Sequence, residues 1–166
     1  MKLKIIFFSN EGLYGNLIKL GTKSDWTHVG VIADETKQDY IVYEALNKGL
    51  VKTNHRKYIV NDRIKQKEIV IKYVELRISK ERLKKICESY LGRPYDWLTI
   101  FNIGIYFFFG HYALNLPGPR KLICSEFAAR VLYDASNKKL NLSKEFDKRY
   151  DYITPEDLYK SNALKA

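Results

Sequence analysis

The stretch Lys121-Leu122-Ile123-Cys124-Ser125-Glu126-Phe127-Ala128-Ala129-Arg130-Val131-Leu132 constrains this chain more than any other. Phe127, Ala128, Val131, Leu132 and Ala135 recur at i, i+1, i+4, i+5 and i+8, an apolar stripe at helical spacing that has to be buried against a core. The preceding Pro117-Gly118-Pro119-Arg120 cannot be helical, so the helix begins close to Cys124. A thiol at that point meets unpaired backbone N–H groups and the positive end of the helix dipole. Both favour the thiolate, which is the nucleophilic form. The competing reading is that Cys124 is a small apolar residue filling a core.

A chain of 166 residues is long enough for one domain, residues 1–166, with a core of its own. Its two cysteines, Cys87 and Cys124, do not make a disulfide framework, which points to a reducing compartment. The apolar run Ile5-Ile6-Phe7-Phe8 near the N-terminus is too short for a signal-peptide core and reads as a strand. A cytoplasmic protein able to sit at a membrane surface is the expectation. The net charge of +10 favours anionic surfaces, whether phosphate backbones or acidic lipid head groups, without choosing between them.

Strands come first and helices later. Leu3 to Ser9, residues 28 to 33, 40 to 45, Gly49 to Thr53 and Glu68 to Leu76 are the strand candidates. A short helix is expected near Tyr14 to Leu20. Ser79 to Leu91 is an amphipathic helix, with Leu83, Ile86, Cys87, Tyr90 and Leu91 on one stripe and Ser79 placed to cap it. Cys87 sits inside that stripe and is read as structural. Thr154-Pro155-Glu156-Asp157 is a further helix start: a cap, a proline at the first helical position, then two acids. The uncharged run Trp97 to Pro119 is long enough to suggest a membrane span, but Asn102, Gly104, Gly110, His111 and Asn115 interrupt it. A helix and loop beside the Cys124 helix is favoured, with aromatic groups lining an apolar groove or touching a membrane surface.

A thiol nucleophile needs a base, and the base needs a third group to hold its tautomer. Of three histidines, His55 lies in the basic stretch Lys52 to Lys57 and reads as solvated; His111 lies in the apolar run. His28 opens a strand, and Glu44 ends the next. If the hairpin turns over Asp34 to Gln38, Ala33 faces Asp39 and His28 faces Glu44 directly, on one face of the sheet. That face should be the one toward Cys124. A carboxylate opposite an imidazole is the orienting pair such a base requires. No cofactor is expected, and no metal: the histidines are scattered, no cluster has ligand spacing, and no Gly-rich phosphate loop occurs.

Trp26-Thr27-His28-Val29-Gly30-Val31, then Tyr43-Glu44-Ala45, then Pro94-Tyr95-Asp96, then Cys124-Ser125-Glu126 resemble the permuted papain-like amidases of the YiiX type. These are cousins of NlpC-type cell-wall peptidases and of the lecithin–retinol acyltransferase group. The resemblance runs over nearly the whole chain, with histidine early and cysteine late. It implies an α+β fold, an antiparallel sheet packed against helices, with Cys124 as nucleophile at a helix N-terminus. It also implies His28 as base, Glu44 as the group orienting it, and Trp26, Tyr43 and Tyr95 near the substrate. The activity implied is cleavage of an amide or ester through a thioester, the substrate being a peptide-type amide or a lipid acyl group. An anionic membrane surface is a further expected partner. A catalytically silent binding module on the same fold is the alternative. Nucleic acid is disfavoured, because the lysines are spread along the chain and no recognition motif occurs.

Overall fold

The run Ile5 to Phe8 is apolar on both faces, and it lies in the interior of a sheet. The structure is a computed structural model that describes residues 1–9, 19, 24–109 and 121–166, with backbone alone at 103, 104 and 106–108. Five strands, β1 (Lys2–Phe8), β2 (His28–Glu35), β3 (Asp39–Leu46), β4 (Gly49–Arg56) and β5 (Ile69–Glu75), form one sheet in the order β4-β3-β2-β1-β5. Every pairing is antiparallel. All five expected strands are present, their ends displaced by at most three residues. The result is an α+β architecture.

The two faces of the sheet are covered unequally. The helix face carries Leu3, Ile5, Phe7, Val29, Val31, Tyr43 and Ala45. They pack against α2 (Lys80–Glu88) and α4 (Cys124–Ala135) in the main core. Nine of the twelve residues of α4 are buried. At ~1.5–3 kcal/mol for each large apolar side chain, this helix is the main anchor of that layer. The far face carries Ile6, Phe8, Ile32, Val42 and Ile69, and only Val60 of α1 (Lys57–Lys65) joins them among the residues buried there. The helix α1 was not expected, because Tyr58, Ile59 and Ile64 are exposed and leave no apolar periodicity to read.

The helix starts follow local chemistry. Ser79 accepts from the backbone N–H of Arg82 at the head of α2. Thr154 and Asp157 form a reciprocal capping box at α6 (Pro155–Lys160), which follows the short α5 (Leu142–Glu145) and a 3-10 turn at Tyr150–Tyr152. Asp96 caps α3 (Trp97–Phe109), accepting from the backbone N–H and the hydroxyl of Thr99 at 3.1 and 2.9 Å. Ile100 of α3 packs on Ile123 and Tyr152, so this helix stands beside the start of α4, as expected. Among the described residues no helix is long and apolar enough to cross a membrane. The rest of the uncharged run, His111 included, lies outside the described residues. So does the short helix expected near Tyr14 to Leu20, apart from Lys19, which is helical.

The β2–β3 hairpin corrects one expectation. Ala33 does not face Asp39, nor His28 Glu44. At the tip Glu35 pairs Tyr40 and Asp34 pairs Ile41; nearer the site Ile32 pairs Val42 and Gly30 pairs Glu44. One extra residue, Ala33, is therefore bulged out of β2 between the two stretches. The bulge turns Asp34 to the helix face, where its carboxylate is ion-paired with Lys80 and, at 2.8 Å, Lys84 of α2. The true pairing differs from the expected one by two residues, so His28 and Glu44 still share a face.

Candidate active site

Ile123 enters α4 in extended conformation and contributes no side-chain cap, so Cys124 is the first helical residue, at the positive end of the dipole. The residue is only 3% exposed. Its sulfur lies beside the backbone N–H groups of Val29 and Ser125 and the ring of His28, which favour the thiolate. Burial pushes the thiol up, but the positive charge and hydrogen bond of His28 outweigh it and hold Cys124 below the ordinary thiol range.

His28 begins β2 on the far face, by the alternation that also places Phe8, Gly30 and Glu44 there. The expectation that this pair lies on the sheet face toward α4 is thus corrected. Contact with Cys124 is made at the strand end instead. The β2–β3 ladder starts only at Gly30–Glu44, and beyond it the sulfur reaches both the His28 ring and the Val29 N–H. Nε2 of His28 lies 2.7 Å from Oε2 of Glu44, which leaves Nδ1 for the sulfur. An ionised carboxylate only accepts, so Nε2 carries a proton. Burial pulls the imidazole down, yet the Cys124 thiolate and Glu44 together raise it to about 10. Each group thus favours the charged form of the other.

Gly30 makes the His28–Glu44 contact possible. It is the residue directly opposite Glu44, and a Cβ there would lie 2.5 Å from Val42 Cγ1. With no side chain between them, the carboxylate leans past Gly30 to the histidine two residues along.

Glu44 is itself held by more than His28. Its Oε1 accepts from the hydroxyl of Thr53 and from Nε2 of His55, the latter at 2.9 Å. Both residues lie on β4, with Thr53 opposite Val42 and His55 opposite Tyr40. Although burial alone would raise it, Glu44 is held far below the ordinary carboxylate range by His28, His55 and Thr53. His55 was read as a solvated loop residue; it is instead the second histidine on this carboxylate. The readable signal was alternation, since Val51, Thr53 and His55 share a face of β4.

The three expected substrate contacts separate. Tyr95 is beside the site: it bridges to Leu122, and burial followed by the nearby Cys124 charge drives its phenol well above the ordinary range. Trp26 is instead a core residue, packed against Phe7 and Tyr159 at ring distances of 5.9 and 5.0 Å. Tyr43 is also wholly buried on the helix face and donates to Glu88 at 3.2 Å. Ser125 and Glu126 of the cysteine motif are structural. The first donates to the Ile153 carbonyl at 2.6 Å and the second pairs with Arg130 at 2.8 Å.

No family model and no curated protein matches the sequence. Among solved structures, the chain is similar to the metalloprotein YiiX of Escherichia coli O157:H7, with a TM-score of 0.59 over 99% of this chain and 94% of that one. The fold is of the YiiX type. At 18% identity the likeness is one of fold alone. Both oxygens of Glu44 are taken by hydrogen bonds, and no group of three or more His, Cys, Asp or Glu among the described residues is arranged around a common point.

Proposed function

We propose that this protein is a cysteine amidase or acyl hydrolase of the permuted papain-like kind. The carrying observation is the juxtaposition of Cys124, His28 and Glu44, with a 2.7 Å hydrogen bond between Nε2 of His28 and Oε2 of Glu44. His28 takes the proton of the Cys124 thiol, and the sulfur adds to a carbonyl carbon. The oxyanion that forms faces the backbone N–H groups at the uncapped start of α4. His28 then protonates the departing amine or alcohol, and a thioester remains on Cys124. Water, deprotonated by the now neutral His28, resolves the thioester and regenerates the free thiol. Glu44 keeps Nε2 protonated throughout and so reserves Nδ1 for these transfers. The substrate is a peptide-type amide or a lipid acyl group.

One observation favours a second reading, a silent binding module on the same fold: the sulfur is almost fully covered. Titration with a small thiol-alkylating probe separates the two. Rapid modification of Cys124 near neutral pH, and an acyl adduct trapped there by an activated acyl probe, support the hydrolase. An inert Cys124 with a fully folded chain supports the module.

A further inference from the structure

We infer that α3 is a docking helix that seats the site on an anionic phospholipid surface. Trp97, Leu98 and Phe101 are 52, 48 and 63% exposed. At 100° per residue they fall within an arc of about 100° along one side of the start of α3. The buried groups Thr99 and Asn102 lie outside that arc, Thr99 held by Asp96 and Asn102 donating to the Tyr152 hydroxyl at 3.0 Å. The stripe is therefore the side of the helix left over after packing. No residue of α3 carries a charge. Thirteen residues rise only ~20 Å, against ~30 Å for a hydrocarbon core, so a helix like this lies along a bilayer rather than through it.

Charge selects the kind of surface. Backbone hydrogen bonds from Leu50 N to Arg93 O and from Leu122 N to Pro94 O draw the β3–β4 turn and the approach to α4 together at the head of α3. That brings the segments carrying Lys48, Arg93 and Lys121 to the head of the stripe, with the Arg93 guanidinium over the Tyr90 ring at 4.4 Å, while the nearby Asp96 is buried. Apolar groups ringed by cations match a layer of acidic head groups over acyl chains. The same surface leads to the thiol, because the Trp97 ring contacts Tyr95 at 4.8 Å and Tyr95 lies beside Cys124. The inference rests on the hydrolase reading only for its purpose, which is to bring an acyl group held in a membrane to Cys124.

The test is co-sedimentation of the full chain with vesicles of phosphatidylcholine alone, or mixed with phosphatidylglycerol, combined with tryptophan emission. Trp26 is already buried, so a blue shift reports Trp97. The expected result is binding to the mixed vesicles with a blue shift. Phe101→Glu and Leu98→Glu, at exposed positions, should each lower partitioning about tenfold or more. Lys121→Glu should weaken binding at low salt and make little difference near ~1 M, where charges are screened. Binding by the glutamate variants equal to wild type, equal binding to neutral vesicles, or no binding at all overturns the inference. So does a concentration-dependent dimer abolished by Phe101→Glu, which would assign the stripe to a second copy. Cys124→Ser should bind as wild type does. Docking with an inert thiol would sink the hydrolase alone, and a reactive thiol without docking would sink only this inference.

Discussion

Cys87 and Cys124 are both free and both buried, at 0 and 3% exposure, and their thiols are driven in opposite directions. Burial pushes Cys87 up to about 12, and the neighbouring Glu88 adds to it. The same burial acts on Cys124 but loses to the His28 imidazolium. Position on the helix is the second difference: Cys87 is mid-stripe in α2, while Cys124 stands first in α4 with open N–H groups around it. Reactivity is thus set by what the sulfur faces, and burial by itself says nothing about it.

The sharpest way to break this contrast is to exchange the thiols' fates. Cys124→Ser should lower turnover by ~10⁴-fold or more and abolish probe labelling, whereas Cys87→Ser should leave both nearly unchanged. Equal loss in the two variants would mean that the wrong sulfur has been assigned. His28→Ala comes next, with a loss of ~10²–10⁴-fold. Its labelling rate should rise only on the alkaline side, toward the ordinary thiol range of ~8.5; an unmoved pH profile would show that His28 does not set the Cys124 charge. Glu44→Ala should cost less, about 10–100-fold, and His55→Ala less again, since His55 acts on the reaction only by holding Glu44.

Stability carries a smaller signature. The folded His28 keeps its proton to about pH 10, against ~6.5 in an unfolded chain, so its contribution is whole below ~6.5 and fades as pH climbs through about 10. Thermal melts should fall along that alkaline limb, and His28→Gln should flatten it. The smallest effect sharpens the inert half of the comparison. Cys87→Ser buries a hydroxyl in the α2 stripe and should lower unfolding free energy by ~1–3 kcal/mol, read by chemical denaturation, with activity kept.

Much of this arrangement was legible because helical and strand periods are stiff. The Cys124 stripe fixed where α4 begins, and the β2 and β3 patterns put His28 and Glu44 on one face. That survived a wrong register because the error was an even number of residues. Alternation was also available to exclude Tyr43 as a substrate contact: it adjoins Glu44 in β3 and so had to point to the opposite face. What was not legible depended on distant pairing. Nothing local tells β5 to lie against β1, or which carboxylate the shared Thr53 and His55 face of β4 will meet once β4 pairs with β3.

The bulged Ala33 has a consequence for how the chain can change over time. It acts as an expansion joint: strand pairing on the tip side, Glu35 with Tyr40, is uncoupled from pairing on the site side, Gly30 with Glu44. A residue gained or lost around Thr36 to Gln38 can be absorbed at the joint before its effect reaches the carboxylate. Below the joint there is no such slack, because a slip of one position would drive Glu44 into the apolar interior and carry Tyr43 out beside His28. Any drift that keeps Tyr43 buried therefore keeps Glu44 placed, and the hairpin tip becomes the natural spot for loop grafts or labels that must leave the thiol's surroundings intact.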